Sequence, residues 1–203
     1  MQPFRTHTGV VAPLPRPDID TDQIIPKQFL KRLGRTGFED ALFYDWRVDA
    51  TTGAKRDFVL NDPRYAGASV LIGGPNFGCG SSREHAVWAL HDFGFRVVLA
   101  PSFADIFASN AVANGFLAAR IDEATVTAIV DAAAATPGTT LTVDLEALTV
   151  TGPDGFLAPI VVDARARTRL LEGLDDIGLI LRHDDAIRRY EAAHGGAFEA
   201  SNS

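Results

Sequence analysis

The sequence predicts an α/β fold built as one domain over residues 1–203. Two observations carry this. Strand-like and helix-like runs alternate through the middle third, at 69–72, 86–93, 96–100 and 103–116. That order favours parallel pairing, because parallel strands are joined by a crossover. In addition, 46% of the residues are hydrophobic and 22% charged, enough apolar material for one core in a chain of this length.

Taken in order, the N-terminal third reads as extended chain and turns. Met1 to Val11 is mixed, and Pro13, Pro15 and Pro17 precede Asp18-Ile19-Asp20-Thr21-Asp22 and Ile24-Ile25-Pro26. Residues 27–40 read as a short helix and a loop carrying Lys31, Arg32 and Arg35. Residues 41–67 have little periodicity and several turn signals, which predicts a long ordered loop region. The run 69–72 is a buried strand. A glycine loop follows, then a helix with Ala86, Leu90 and Phe93 on one face. The run 96–100 is a second buried strand ended by Pro101, and 103–116 a helix. A helix over 122–135 stops at Pro137-Gly138, and strands at 140–144, 147–151 and 157–162 surround the turn Gly152-Pro153-Asp154-Gly155. A helix spans 164–172. Asp184 or Asp185 caps a last helix reaching about His194, and 195–203 frays.

Composition excludes several functions. A net charge of −7 argues against nucleic acid or an anionic membrane as partner, because both demand a basic patch. An anionic small molecule must then be held by local arginines. The single cysteine, Cys79, excludes an intrachain disulfide and cannot supply a four-cysteine iron–sulfur site. No apolar run approaches about 18 residues and the N-terminus lacks a signal pattern, so a soluble cytoplasmic protein is expected.

The chemistry concentrates in Gly78-Cys79-Gly80-Ser81-Ser82-Arg83-Glu84-His85, between a strand and a helix. Glycines allow close backbone approach, and a helix start offers unpaired N–H groups to an anion. Ser81 and Glu84 match a Ser-x-x-Glu capping box, whose plain reading is that Ser81 caps the helix. A cap needs neither the flanking glycines nor a second serine. An arginine in the first turn opposes the helix dipole unless an anion shares the site. Known glycine loops do not fit: Cys79 stands where a phosphate loop needs lysine, Arg83 where a dinucleotide fingerprint needs glycine, and neither serine sits in Gly-x-Ser-x-Gly. Cys79 reads as a small residue in a tight turn and His85 as structural. Asp18, Asp20 and Asp22 read as a solvated turn, since the glycine and glutamate of a calcium loop are missing. His183-Asp184-Asp185 reads as a helix cap rather than a metal site.

Taken together, four segments resemble the small subunits of bacterial 3-isopropylmalate dehydratases, in the aconitase superfamily. They are residues 20–30 (Asp20-Thr21-Asp22-Gln23-Ile24-Ile25-Pro26-Lys27-Gln28-Phe29-Leu30), the stretch from Asn76-Phe77 through His85, Pro101-Ser102-Phe103-Ala104-Asp105-Ile106-Phe107, and Gly178-Leu179 with His183-Asp184-Asp185-Ala186-Ile187. The resemblance covers nearly the whole chain. It implies the swivelling β/β/α domain of aconitase-like enzymes and a separate large subunit carrying a [4Fe–4S] cluster, with none bound by this chain. It also implies a hydro-lyase of leucine biosynthesis that interconverts 2-isopropylmalate and 3-isopropylmalate through 2-isopropylmaleate.

By the same resemblance, Ser81 is the base, Arg83 grips a carboxylate of the dicarboxylate substrate, Ser82 adds a hydrogen bond, and Asp22 orients a cationic neighbour. A serine hydroxyl can act so only as an alkoxide held by backbone N–H groups and positive charge. Substrate choice among relatives falls partly in the loop after the aspartate motif, here residues 30–37, where Arg32 and Arg35 are candidates and Arg35 is the substrate contact named. Related hydratases for homoaconitate or citraconate-type acids, and a non-catalytic anion-binding module, are the alternatives.

Overall fold

In the computed structural model the structure describes residues 1–174 together with 178, 186 and 188–190. Among the described residues seven strands form one mixed sheet in the order β4-β3-β2-β1-β5-β6-β7. The strands are β1 (Thr6–Leu14), β2 (Val70–Gly73), β3 (Val97–Ala100), β4 (Leu117–Arg120), β5 (Thr140–Asp144), β6 (Thr149–Thr151) and β7 (Leu157–Pro159). β1 to β4 run parallel, as the strand–helix alternation predicts for β2 and β3, and β1 is also antiparallel to β5, which leads into the β5–β6–β7 meander.

Two strands correct the sequence reading. β1, read as mixed chain and turns, is central. It is handed along its length from one partner to another: Thr6 to Val10 pair with β5, and Val11 to Leu14 pair with β2. Val11 N–H still donates to Thr139 O at 3.0 Å on the β5 side. Pro13, two residues on, faces that same side beyond the end of β5, where the missing donor costs nothing. At Gly9 a Cβ would lie 1.8 Å from the Ser69 hydroxyl, so the neighbouring side chain takes the space. β4 was not predicted: the helix read over 103–116 stops at Ala113, and Gly115 (φ +69°) turns the chain into the strand.

Within residues 1–174 the helices are α1 (Thr21–Ile24), α2 (Tyr44–Arg47), α3 (Glu84–Phe93), α4 (Asp105–Ala113), α5 (Glu123–Ala135) and α6 (Ala164–Glu172). Asp122 and Asp163 cap α5 and α6 through their carboxylates. The region 41–67 holds α2 and two short 3-10 turns, and Leu42, Phe43 and Phe58 sink into the core. Of the last predicted helix, residues 186 and 188–190 are described and are helical; the rest of it and the frayed tail lie outside the described residues.

β2 and β3 are buried throughout, the pattern of parallel strands covered on both faces. Alternate residues serve two cores. Ala12, Leu14, Leu71, Val98 and Ala100 pack with α3, α4 and the 38–43 segment. Val11, Val70, Ile72, Val97 and Leu99 pack with α5, α6 and the meander. This sandwich fixes the carboxyl ends of β1, β2 and β3, and the loops leaving those ends build the site.

Candidate active site

The loop after β1 and the loop after β2 are laced together by backbone and side-chain bonds. Asp18 N–H donates to Pro75 O (2.9 Å), Gly78 N–H to Ile19 O (2.7 Å) and Thr21 N–H to Cys79 O (2.9 Å). Asn76 Nδ2 donates to Asp18 Oδ1 (2.8 Å), and Thr21 Oγ1 to Ser81 O (2.8 Å). The loop after β3 joins them: Asn76 N–H donates to Ser102 Oγ (2.8 Å) and Phe77 N–H to Ser102 O (3.0 Å).

The aspartate run is an ordered helix start. Asp20 Oδ1 accepts from Gln23 N–H (2.7 Å), and Gln23 Oε1 accepts from Asp20 N–H (3.0 Å). The reciprocal capping box therefore belongs to Asp20 and Gln23 at α1. It is not at Ser81 and Glu84. α3 begins at Glu84 after the N-cap residue Arg83, with no side chain on its first N–H groups. The Glu84 carboxylate accepts instead from Asn114 Nδ2 at 2.9 Å. Ser81 is left outside the helix.

Gly78 turns at φ +77° with Phe107 against it: a Cβ there would lie 2.3 Å from Phe107 Cγ. Gly80 turns at φ +91° in more open surroundings, its nearest Cβ contacts being 3.5 Å away at Asp20 and Thr21. The two turns lift Ser81 and Ser82 to the surface, where both are exposed. Among the described residues, the N–H groups of Ser81, Ser82 and Arg83 have no hydrogen-bond partner. These unpartnered donors and the two exposed serines adjoin the start of α3.

Arg83 lies beside them with only 11% of its side chain exposed, and its Nη1 forms an ion pair with Asp22 Oδ1. Nη1 is enclosed and meets the carboxylate as a charge contact, without the alignment of a hydrogen bond. Contact with the Arg83 guanidinium holds the Asp22 carboxyl below the usual carboxylate range, and Lys27 adds to this. Among the described residues the Arg83 side chain donates no aligned hydrogen bond, so its five donors are largely unspent.

The other sequence candidates fall around this centre. Cys79 is half-buried, and burial pushes its thiol above the ordinary value, so it is protonated and a poor nucleophile. His85 packs edge-on to Phe38 (5.5 Å between centroids) and close to Trp88 (4.5 Å), in an aromatic setting. Arg35 is exposed and its guanidinium lies 5.8 Å from the Trp88 ring centroid, further along α3. Arg32 is committed to Asp40, with Nη2 donating to Oδ2 at 2.8 Å. Among the described residues no group of three or more His, Cys, Asp or Glu could hold a metal ion, and no helix is long and apolar enough to cross a membrane.

The model of the aconitase C-terminal domain family matches residues 1–124, and a second model, LeuD_N, matches residues 127–164. A curated protein of Koribacter versatilis, "3-isopropylmalate dehydratase small subunit", is 60% identical over 194 residues, 96% of this chain and 100% of the relative. This chain belongs to the 3-isopropylmalate dehydratase small-subunit family. A Nocardioides relative of the same name is 56% identical, covering 95% of this chain and 94% of its own. The crystal structure of 3-isopropylmalate dehydratase from Methanocaldococcus jannaschii superposes with a TM-score of 0.67 at 22% identity, over 91% of this chain and 99% of that one. At that identity the superposition speaks for the fold alone, which is the aconitase-type swivel domain.

Within this small-subunit frame, sequence reasoning named Ser81, Ser82, Arg83 and Asp22, which sit together. It missed Thr21, a buried hydroxyl (2% exposed) bonded to the Ser81 carbonyl. A threonine between two aspartates gives no local sign of that contact, because its partner lies 60 residues on.

Proposed function

We propose that this chain is the small subunit of a 3-isopropylmalate dehydratase, a hydro-lyase active only when joined to its large subunit in the cytoplasm. It dehydrates 2-isopropylmalate to 2-isopropylmaleate and water, then rehydrates the alkene to 3-isopropylmalate, as leucine biosynthesis requires. The observation that carries the reading is the 60% identity over the whole length of a curated small subunit.

Ser81 takes the proton from the carbon beside a carboxylate, and the return of a proton accompanies rehydration. An exposed serine in water would be far too weak a base. In this reading its oxygen is served by the free N–H groups of the loop, the positive end of the ten-residue helix that follows and the Arg83 guanidinium. Those fixed dipoles favour the alkoxide and need no reorganisation as charge develops. Arg83 offers its unspent donors to a substrate carboxylate as a two-pronged contact. Asp22 holds that guanidinium in place. Ser82 and Arg35 are further substrate contacts, Arg35 riding on Trp88 of the helix that starts at the site.

The Arg83–Asp22 pair is neutral as a unit, so it cannot balance a dicarboxylate alone. Additional cations come from the facing large subunit. A single, protonated cysteine does not fit an iron–sulfur cluster, so the [4Fe–4S] group is assigned to the large subunit. When bound there, it supplies Lewis-acid chemistry at the leaving hydroxyl.

The test is reconstitution. The chain, a large subunit with its cluster assembled without oxygen, and the mixture are each given 2-isopropylmalate, and absorbance of the alkene is followed. Only the mixture is expected to form it. Turnover by the lone chain would overturn the subunit assignment, and a preference for homoaconitate or a citraconate-type acid would overturn the substrate.

A further inference from the structure

Thr21 does more than fill space. Its hydroxyl donates to the Ser81 carbonyl at 2.8 Å, and its own N–H donates to the Cys79 carbonyl at 2.9 Å. It is 2% exposed, so neither bond competes with water. The residue is itself fixed, since Asp20 immediately before it closes the reciprocal cap with Gln23. Asp22 immediately after it pairs with Arg83. One short helix start therefore grips the site loop at both ends of Ser81-Ser82-Arg83.

The Ser81 carbonyl shares its peptide plane with the Ser82 N–H. That peptide is trans, as are all among the described residues, so the two groups point in opposite directions. Holding the carbonyl down onto buried Thr21 turns the Ser82 N–H outward, to the face on which both serine side chains are exposed. Gly80, with its positive φ just before, leaves the loop free to rotate if this hold is lost.

We propose that Thr21 is a positioning residue for the reaction. By anchoring the Ser81 carbonyl it sets the Ser81–Ser82 peptide so that the Ser82 N–H supports negative charge on the Ser81 oxygen. The proposal rests on the dehydratase reading above. The hydroxyl is the operative group, because the shape of the side chain can be kept without it.

The experiment compares Thr21→Val and Thr21→Ser in the enzyme assembled with its large subunit, beside crystal structures of each variant chain. Valine keeps the shape and deletes the donor; serine keeps the donor. Thr21→Val is expected to lower kcat by about 10–100-fold, at or below the lower end of the roughly 100–1000-fold lost with an oxyanion donor itself, because the N–H is misplaced rather than removed. KM should move by no more than about threefold, because the N–H acts on charge that develops during reaction. Thr21→Ser should restore most of the loss, and the Thr21→Val structure should have a rotated Ser81–Ser82 peptide. Equal losses in both variants, or a kcat for Thr21→Val within about twofold of the wild type, would overturn the proposal. If the wild-type assembly does not turn over isopropylmalate, the dehydratase reading fails on its own account. The peptide geometry then decides for Thr21, an unrotated peptide in Thr21→Val refuting the anchor.

Discussion

Replacing Gly78 with alanine tests whether the site loop is held by packing against α4. The new Cβ would lie 2.3 Å from Phe107 Cγ, 2.5 Å from its Cβ and 2.6 Å from Cδ2. Phe107 cannot swing aside. It is 2% exposed, stacks on Phe103 at 6.1 Å, and meets Phe77 edge-on at 5.3 Å. The backbone at φ +77° adds a left-handed penalty of about 1–2 kcal/mol for a residue with a Cβ. Overpacking a filled core adds about 1–3 kcal/mol. Together these give a loss of about 2–5 kcal/mol, or a fall of about 1–2 M in the urea midpoint. Gly80→Ala is the internal control. Its φ is +91°, but its Cβ meets nothing closer than 3.5 Å, so only the backbone penalty of about 1–2 kcal/mol applies. Urea unfolding followed by tryptophan fluorescence measures both. Equal losses at the two glycines, or a loss under about 1 kcal/mol at Gly78, would refute the packing argument.

Three further outcomes are expected. Arg83→Lys in the assembled enzyme should lower kcat/KM by about 10–100-fold, since a point charge replaces a fork of donors worth about 1.5–3 kcal/mol per charged bond; a change under threefold would remove Arg83 from carboxylate binding. Asp22 carries a depressed carboxyl, so its ion pair contributes to stability above the ordinary value of 3.8 and loses that contribution as pH falls through the lower folded value. The difference in urea midpoint between wild type and Asp22→Asn should accordingly be constant from about pH 5 to 8 and shrink below about pH 4; a difference that grows in acid would mean the sign is wrong. Cys79→Ser should keep turnover within about threefold, because a thiol pushed up by burial is not a nucleophile at neutral pH; loss of activity with the fold intact would contradict that.

Much of the fold was legible because its signals are local. The parallel strands β2 and β3 are short runs of Val, Leu and Ile, and α5 and α6 have an aspartate at the N-cap and a run of matching length. β1 was hidden because its composition is mixed and it contains Gly9 and Pro13, residues that weaken a strand interior. Both are tolerated for tertiary reasons: a neighbouring side chain fills the glycine's space, and the adjoining strand ends before the proline. β4 was hidden because Leu117 to Arg120 continue an apolar run, and only Gly115 marks the break. At the site, the Ser-x-x-Glu spacing suggested a capping box, but Asn114 captures Glu84 from another helix and leaves Ser81 outside α3. The pairing of Asp22 with Arg83 and of Thr21 with Ser81 joins residues about 60 apart in the chain, a relation no local pattern encodes. Those contacts exist because β1 and β2 are parallel neighbours whose loops leave the same edge of the sheet.

The most direct measurement is turnover of Ser81→Ala assembled with its large subunit, with complex formation checked by sedimentation. Removing the proton-accepting oxygen should lower kcat by about 10²–10⁴-fold while the two subunits still associate. Turnover within about tenfold of wild type, in an intact complex, would contradict the assignment of Ser81 as the base.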